Sequence, residues 1–600
     1  MYQRKWHTNW QKNIHIQYNT VTGNMEIVVD PKGTQTKSLT NAMRQTVFTV
    51  QNFTSFTSLS SPGNTAADKD VATAYTYNGL GNLETLTAVN PMTGNQITRY
   101  LYEDPINASL ETSAIYPDSS DTSASGTDQV KTAYYLDGSV KNRTDQNGTV
   151  HTYAYDAQRR EIADEVTTLG SGVDGAVRKI TKTYNSFGAL ETISSLDASG
   201  NVVNQNRYEY DTNQNLFKLY SNPSGAVNIA STPYIEYTYD TTKNLRPTSM
   251  TYPSGTTVNY AYGTSGGIDD LASRPVTIAN GSTTLATYQY TGSGKPMKTT
   301  YNQPNISLAY ANGSLDRFGR IIDHAWKNSG GTSLVQIKHG YDYAGNRTYC
   351  EDVAATNAGK TFDELYAYDG VNQVTDMQRG TLGANKTSIA SGKSYQDNFA
   401  FDKTGNFATY KQDANGDGTF DVNQSRVHNK VNEITSIAGS TLYIASDKNG
   451  NMTKIPKSDN WSAAYDLVYD AWNRLVTVKS GSTIVATYFY DGMNRRVKKI
   501  VGSETRLFYF NQQWQCVEEY VGSTCDMRYI WGLRYVDDLV TYRNGSTDYH
   551  VLQDTNWNVV GLTNASGVVQ ERYTYSSFGK LKNSMSSMLR LCRNQFQRLI

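Results

Sequence analysis

The sequence predicts an all-β protein, a long antiparallel strip of successive β-hairpins. Three observations carry that prediction. A short motif, an aromatic residue followed by Asp or Asn and then by Gly or Asn, recurs along most of the chain. The runs between its copies are rich in Val, Ile, Thr, Tyr and Phe, residues that favour a pleated, half-buried surface. No segment of about 12 or more residues holds a convincing 3.6-residue apolar period, so helix is expected to be scarce.

The clearest stretch is Tyr469 to Lys498, YDAWNRLVTVKSGSTIVATYFYDGMNRRVK. Tyr469-Asp470 is followed by Asn473-Arg474, and Tyr490-Asp491, 21 residues on, by Asn494-Arg495 at the same offsets. Between the copies lie two β-rich runs, Leu475 to Val478 and Ile484 to Tyr490, split by Lys479-Ser480-Gly481-Ser482. The unit reads as turn, strand, tight turn, strand, and the two runs are predicted to form one antiparallel hairpin. The Asp side chain can bond its own backbone two residues on, and Asn or Gly tolerates positive φ, so these residues mark the turn for a physical reason.

Degenerate copies follow the same plan. They include Tyr77-Asn78 with Gly81-Asn82, Tyr184-Asn185 with Gly188, Tyr210-Asp211 with Asn215, and Tyr239-Asp240 with Asn244. Further copies are Tyr341-Asp342 with Gly345-Asn346, Tyr368-Asp369 with Asn372-Gln373, and Phe401-Asp402 with Gly405-Asn406; Asp316 with Gly319-Arg320 keeps the second half. Self-similarity at roughly 20–50 residues marks an array in which each unit buries its face against its neighbours.

This pattern resembles the YD repeats of the RHS (rearrangement hot spot) proteins and of the related shells in Tc insecticidal toxins and teneurins. The strongest likeness runs from Tyr529 to Lys580. It holds Tyr529-Ile-Trp-Gly-Leu-Arg-Tyr-Val-Asp-Asp538, Leu552-Gln-Asp-Thr-Asn-Trp-Asn-Val559 and Glu571-Arg-Tyr-Thr-Tyr-Ser-Ser-Phe-Gly-Lys580. That succession resembles the entrance to the RHS repeat-associated core. The resemblance implies a strip spiralled into a hollow, here partial, YD-repeat shell. It also implies a structural role in a secreted or cell-surface bacterial polymorphic toxin, in which the shell encloses or presents a C-terminal effector. The implied partners are that effector domain or neighbouring shell components. The alternative is a cell-surface module that binds carbohydrate or protein.

By the same reading residues 1–65 are a degenerate β segment, 66–468 the repeat array, 469–580 the last repeats and the start of the core, and 581–600 an atypical tail. Leu581 to Ile600 lacks the Tyr/Gly/Thr usage of the rest and holds no Asp or Glu. It is expected to be a truncation or frame change, the alternative being a short natural variant tail; by the resemblance it is without the family's self-cleaving aspartates, and it is expected to leave an unpaired strand edge near Val568 to Tyr575.

Bulk composition narrows the function further. Basic and acidic residues balance at 55 each, so no global charge favours nucleic acid or an anionic membrane. Mean hydropathy is −0.58, and no apolar run reaches the roughly 20 residues of a membrane span. The first residues, MYQRKWHTNWQKN, have no signal-peptide h-region. Tyr is heavily used, 45 against 16 Phe, which suits rings laid along a sheet with their hydroxyls in water. The four Cys exclude a disulfide scaffold; Cys516 and Cys525 flank a possible hairpin and either pair across it or stay as half-buried thiols.

Candidate chemistry is sparse. The loop 413–424, DANGDGTFDVNQ, places Asp413, Asn415, Asp417, Thr419 and Asp421 at the alternate spacing of a calcium loop, with Gln424 where a bidentate Glu is expected. The competing reading is a polar hairpin tip. No other cofactor is expected. The His residues at 7, 15, 151, 324, 339, 428 and 550 form no zinc motif and are expected as surface or strand residues. Gly263-Thr-Ser-Gly-Gly267 spells G-x-S-x-G in a polar loop with no helix expected after it, so a nucleophile elbow is not predicted. Asp537-Asp538 is read as a strand end, and Trp531 and Trp557 as packing residues rather than sugar platforms. The chain is expected not to be an enzyme.

Overall fold

The computed structural model describes residues 14–19, 23–91, 93–117, 128–243, 245–292, 294–310, 313–457 and 463–584. Nearly everything described outside the turns and loops is strand. Helix is confined, among the described residues, to Ile268–Leu271 and Val353–Asn357, single turns as the missing 3.6 period predicts. The expected tail beyond 584, the residues before Ile14 and the loop 118–127 lie outside the described residues.

Contacts divide the chain into two units. One comprises 1–138, 339–351 and 361–450, and the other 139–338, 352–360 and 451–600. In the first unit, strands from His15–Tyr18 to Gln129–Tyr134 each pair antiparallel with the next. A second ladder runs from Asp363–Tyr368 to Ile434–Ile437. Val50, Phe56, Ala72 and Val89 form a local core there, with Phe48 and Phe56 ring centroids 5.2 Å apart. In the second unit one ladder runs from Val140–Thr144 to Asp323–Lys327 and another from Met452–Pro456 to Leu581–Ser584. A buried cluster there packs Met527, Tyr529, Leu539, Tyr542 and Val551.

The hairpin read from the 21-residue repeat is present. Strand Leu475–Ser480 pairs antiparallel with Thr483–Tyr490, with Val478 opposite Ala486. The turn is tighter than expected: Lys479 and Ser480 belong to the strand, and only Gly481-Ser482 connect the two. Gly481 has φ 61°, which a two-residue hairpin turn with Gly at its first central position requires. Gly502, Gly522 and Gly545 repeat that turn with φ of 57° to 61°. Between Asp470 and Asn544 of this ladder, two-residue Gly turns therefore alternate with longer turns such as Asp470 to Arg474, Asp491 to Arg495 and Asn511 to Gln515.

One alternative is decided and one expectation is corrected. Cys516 and Cys525 are the half-buried thiols of the second reading and form no disulfide, because the register sets Tyr520 opposite Cys525 and leaves Cys516 further along the strand. The edge near Val568 to Tyr575 is not open. Strand Val569–Tyr575 pairs with Leu581–Ser584, Tyr575 facing Leu581 across the turn Ser576 to Lys580. Ser576 Oγ accepts the Lys580 N–H at 3.0 Å, so a hydroxyl replaces the Asp of the motif and the sheet gains one more strand.

Candidate functional site: the repeat turn and the seams it closes

The recurring turn has one geometry. Counting the Asp or Asn as position 1, its side-chain oxygen accepts the N–H groups of positions 3 and 5. In the turn Asp470 to Arg474 these are Trp472 and Arg474, both at 3.0 Å. Position 4 sits at positive φ: Asn473 at 59°, Asn494 at 64°, Gly345 at 95° and Gly405 at 87°. Position 5 closes the loop through the other carboxylate oxygen. Arg474 Nε donates to Asp470 Oδ2 at 2.7 Å, Asn346 Nδ2 to Asp342 Oδ2 at 3.0 Å and Asn558 Nδ2 to Asp554 Oδ2 at 3.0 Å. Where position 1 is Asn, it becomes the donor and position 5 the acceptor, as in Asn511 to Gln515 Oε1 at 2.8 Å and Asn429 to Glu433 Oε2 at 2.8 Å. In these turns the two positions match donor to acceptor, whereas Asn185 with Ala189 and Asn564 with Val568 keep only the bonds from backbone N–H groups. Gly345→Val and Gly405→Val are each expected to lower stability by about 1–2 kcal/mol, because a β-branched residue is forced into the left-handed region. Melting temperatures equal to that of the unaltered protein would contradict this.

The aromatic residue before position 1 has a task that the sequence reading missed. Its hydroxyl is not left to solvent; it donates to the position-6 carbonyl of the preceding turn. Tyr490 reaches Leu475 O at 2.9 Å, Tyr184 reaches Glu161 O at 2.8 Å, Tyr210 reaches Leu190 O at 2.8 Å and Tyr368 reaches Arg347 O at 2.8 Å. Trp531 substitutes its Nε1–H, donating to Cys516 O at 2.8 Å. In each pair the strand register slips just before the aromatic, between Phe489 and Tyr490, Thr183 and Tyr184, Ile530 and Trp531. A bulge re-aims the following side chain, and here it turns the ring toward the neighbouring strand.

Within the second unit these turns close a seam between its two ladders. His151 Nε2 meets Ala471 O at 3.0 Å and its Nδ1 meets Asp164 Oδ1 at 2.6 Å, while Trp472 Nε1 donates to Asp164 Oδ2 at 2.7 Å. Asn206 Nδ2 donates to Asp491 Oδ2 at 2.9 Å, and Gln512 N–H to Tyr237 Oη at 3.1 Å. Tyr252 Oη donates to Tyr529 O at 3.0 Å, and Tyr301 Oη to Val551 O at 3.0 Å. Gln553 O accepts both His324 Nε2 at 2.7 Å and Trp326 Nε1 at 3.0 Å. Glu518, wholly buried, accepts from Ser254 N–H at 3.0 Å and Arg528 Nε at 2.9 Å. The first unit uses the same device. Lys403, in the turn after Phe401, donates to Asn64 O at 2.6 Å, Lys69 O at 2.9 Å and Asp70 O at 3.3 Å.

The seam histidines carry opposite charge preferences. Both ring nitrogens of His151 face acceptors, and although burial opposes it, the Asp164 carboxylate raises its pKa. Burial pushes His324 down to about 3, with Arg534 adding to the fall. A neutral imidazole fits there, because Tyr310 Oη lies 2.8 Å from its Nδ1. Since the folded value lies below the ordinary 6.5, His324 contributes stability in full above 6.5, and that contribution is lost as pH falls toward 3. Melting temperature is expected to fall over that window, and less steeply in His324→Gln; equal slopes would contradict it.

No protein-family model matches the chain. Among solved structures, TcdB2-TccC3 without its hypervariable C-terminal region superposes with a TM-score of 0.63 at 13% identity, covering 95% of this chain and 30% of that one. A Photorhabdus luminescens Tc holotoxin pore gives 0.63 at 12% identity, covering 94% and 30%. The chain has the RHS/YD-repeat fold. A curated relative, the tRNA3(Ser)-specific nuclease WapA of Bacillus spizizenii, is 27% identical over 156 residues, which are 25% of this chain and 6% of that protein. The YD-repeat chain therefore spans less than a third of the solved chains and a small part of WapA.

The remaining predicted residues are placed as follows. Asp413, Asn415, Asp417, Thr419 and Asp421 lie together in the hairpin tip between strands Phe407–Asp413 and Val422–His428. Asp413 accepts Gly416 N–H at 2.6 Å and Gly418 N–H at 2.9 Å, with Lys393 Nζ 3.3 Å away. Asp421 accepts Ala414 N–H at 2.6 Å and Asp417 accepts Thr419 N–H at 2.7 Å. The carboxylates thus face amide donors, and no metal-holding group of three His, Cys, Asp or Glu occurs among the described residues. His15, His151, His324, His339, His428 and His550 all lie in strands; His7 lies outside the described residues. A one-turn helix, Ile268–Leu271, does follow Gly267, against expectation. It is positioned by Asp270, which Arg246 Nη2 meets at 2.7 Å. Ser265 meets Lys243 Nζ at 3.3 Å rather than a base. Asp538 precedes strand Leu539–Asn544, as a strand-end residue, and is wholly buried against Arg534, Nε to Oδ1 3.0 Å. The Arg534 guanidinium stacks between Trp326 and Trp557, 5.1 and 5.0 Å from their centroids, so Trp557 packs as predicted.

Proposed function

We propose that this chain is a wall segment of the shell of an RHS-type polymorphic toxin, enclosing or presenting an effector carried elsewhere. The observation that supports it is the match of 95% of the chain, at a TM-score of 0.63, to TcdB2-TccC3. The chemistry agrees. Buried charged groups of the turns are spent on one another, Asp470 on Arg474 and Asp491 on Arg495, and those of the strands likewise, Glu518 on Arg528. Such pairs build a wall and leave no poised acid or base. On this reading the partners are the effector domain or neighbouring shell components, and the toxin acts outside the producing cell or at its surface. Negative-stain electron microscopy of the purified chain tests it. A curved wall around a central space is expected, and a straight rod or a solid globule would overturn it.

A second reading, a surface module for protein or carbohydrate, is favoured by one observation. Position 3 of several turns exposes a large apolar side chain, as in Leu80, Phe187, Phe318 and Phe578, each more than 60% exposed. Calcium binding by the 413–424 loop is a separate proposal with its own check. The loop's hydrogen bonds close it without a cation, so added calcium is expected to leave the melting temperature unchanged. A rise that disappears in Asp417→Ala would instead make the loop a calcium site.

A further inference from the structure

One seam contact of the second unit demands a proton. His151 Nδ1 lies 2.6 Å from Asp164 Oδ1 on the neighbouring strand, and its Nε2 lies 3.0 Å from Ala471 O, in the turn Asp470 to Arg474 of the facing ladder. Both atoms opposite the ring are acceptors. A neutral imidazole carries a single N–H, so it serves one of them and turns a lone pair on the other; an imidazolium donates to both. His151 is 8% exposed, and a buried acceptor left without its donor costs about 1–3 kcal/mol. Trp472 Nε1 donates to the second Asp164 oxygen at 2.7 Å, and its ring stands edge-on to the imidazole at 5.3 Å. Asp164 and His151 thus hold the turn together.

The charges around the ring are mixed, and the one in contact favours the protonated form. On its own ladder Asp164 touches it, Asp145 adds negative charge, and Arg143 stands opposite it in the register. Tyr153, stacked 6.3 Å away, is neutral, its hydroxyl pushed up to about 12 by burial and by Asp164. Asp174, bridged to Asp470, turns its carboxylate to the Ala176 N–H at 3.0 Å. Across the seam Asp470 and Arg474 neutralise each other at 2.7 Å. Burial disfavours the imidazolium, but the bond and charge of Asp164 outweigh it, so the folded value lies above the ordinary 6.5. The stabilisation is therefore complete below 6.5 and is lost as pH rises through the raised value. We propose that His151 is a proton-operated latch on this seam. With both ring nitrogens protonated it ties the strands Val150–Tyr155 and Glu161–Thr168 to the turn Asp470 to Arg474. Loss of one proton to solvent frees the turn at Ala471 and leaves the buried Asp164 carboxylate without its cation. Two further seam contacts do not respond to rising pH. Asn206 meets Asp491 through an amide, and His324, pushed down to about 3, has already shed its extra proton. Release is thereby confined to the 470–474 turn, whether the chain walls an effector or presents a binding surface.

Two measurements on the full chain test the latch. In NMR of protein carrying carbon-13 histidine, the signal missing from His151→Gln is followed with pH. It is expected to titrate above 6.5, and at lower pH in Asp164→Asn, which keeps the side-chain size and removes the charge. In hydrogen exchange at about pH 6 and about pH 9, corrected for intrinsic rates, protection of residues 470–474 is expected to fall about threefold or more, while that of the turn Asp491 to Arg495 holds. His151→Gln is expected to abolish that difference between the two pH values. Circular dichroism and melting temperature establish that the variants fold. If His151→Gln does not, Asp164→Asn carries the test, identifying the signal by its shift and moving the loss of protection to lower pH. The proposal is overturned if His151 titrates at or below 6.5, if both turns lose protection alike, or if the folded variants leave the pH dependence unchanged.

Discussion

Asp491→Ala is expected to cost about 3–5 kcal/mol of folding stability, the range for removing one partner of a buried ion pair. Asp491 and Arg495 are 2% and 4% exposed and lie 2.8 Å apart. The Asp491 carboxylate also accepts the N–H groups of Met493 and Arg495, each at 2.9 Å, and the amide of Asn206 from the facing ladder at 2.9 Å. Truncation therefore strands a guanidinium and three further donors in a place that water does not reach. The same motif at Asp156 and Arg160 provides the control. Asp156 is 22% and Arg160 28% exposed, water replaces the lost acceptor, and Asp156→Ala is expected to lose far less. Denaturant midpoints of the two variants measure the difference. Similar losses for both would show that the turn's local geometry, and not its burial, sets its worth.

Lys403→Met is expected to lower stability by about 3 kcal/mol or more, through a buried ammonium replaced by a side chain of similar length that donates nothing. Lys403 is 6% exposed and its Nζ serves three carbonyls, of Asn64, Lys69 and Asp70. Those carbonyls belong to a segment organised by Asp70. Its carboxylate accepts the N–H groups of Thr54 at 2.6 Å, Ser55 at 3.1 Å and Asn64 at 2.7 Å. Burial alone would raise the Asp70 pKa, but the bonds from Thr54, Asn64 and Ser55 outweigh it and hold the group well below the usual carboxylate range. Without the ammonium, the carbonyls lose their donor and the Asp70 charge loses a favourable Coulomb interaction. Hydrogen exchange would show the loss as faster exchange at Thr54 to Asn64. Unchanged protection there, with an unchanged denaturant midpoint, would refute the assignment.

The sequence by itself determined the turn and the strand alternation. Every bond of the turn joins residues within four positions of one another, as from Asp470 to Trp472 and Arg474, so residue types at fixed offsets suffice to specify it. The Gly at φ 61° between Ser480 and Thr483 is legible for the same reason. Tertiary structure decided what these turns do. The Tyr490 hydroxyl finds Leu475 O 15 residues away only because the register slips between Phe489 and Tyr490, and nothing in the local sequence states that slip. Register likewise separated Cys516 from Cys525 and gave Val569–Tyr575 a partner where an open edge was expected. His151 meets Ala471 across 320 residues, and Asn206 meets Asp491 across 285. Contacts at such separation depend on how the strands before them accumulate twist and pairing, which residue types do not encode one by one. The turns at Asp156 and Asp491 share the Tyr-Asp start and the Arg at position 5, with Arg159 where the second has Asn494. Folding leaves the first at the surface and buries the second, and burial sets how much each is worth.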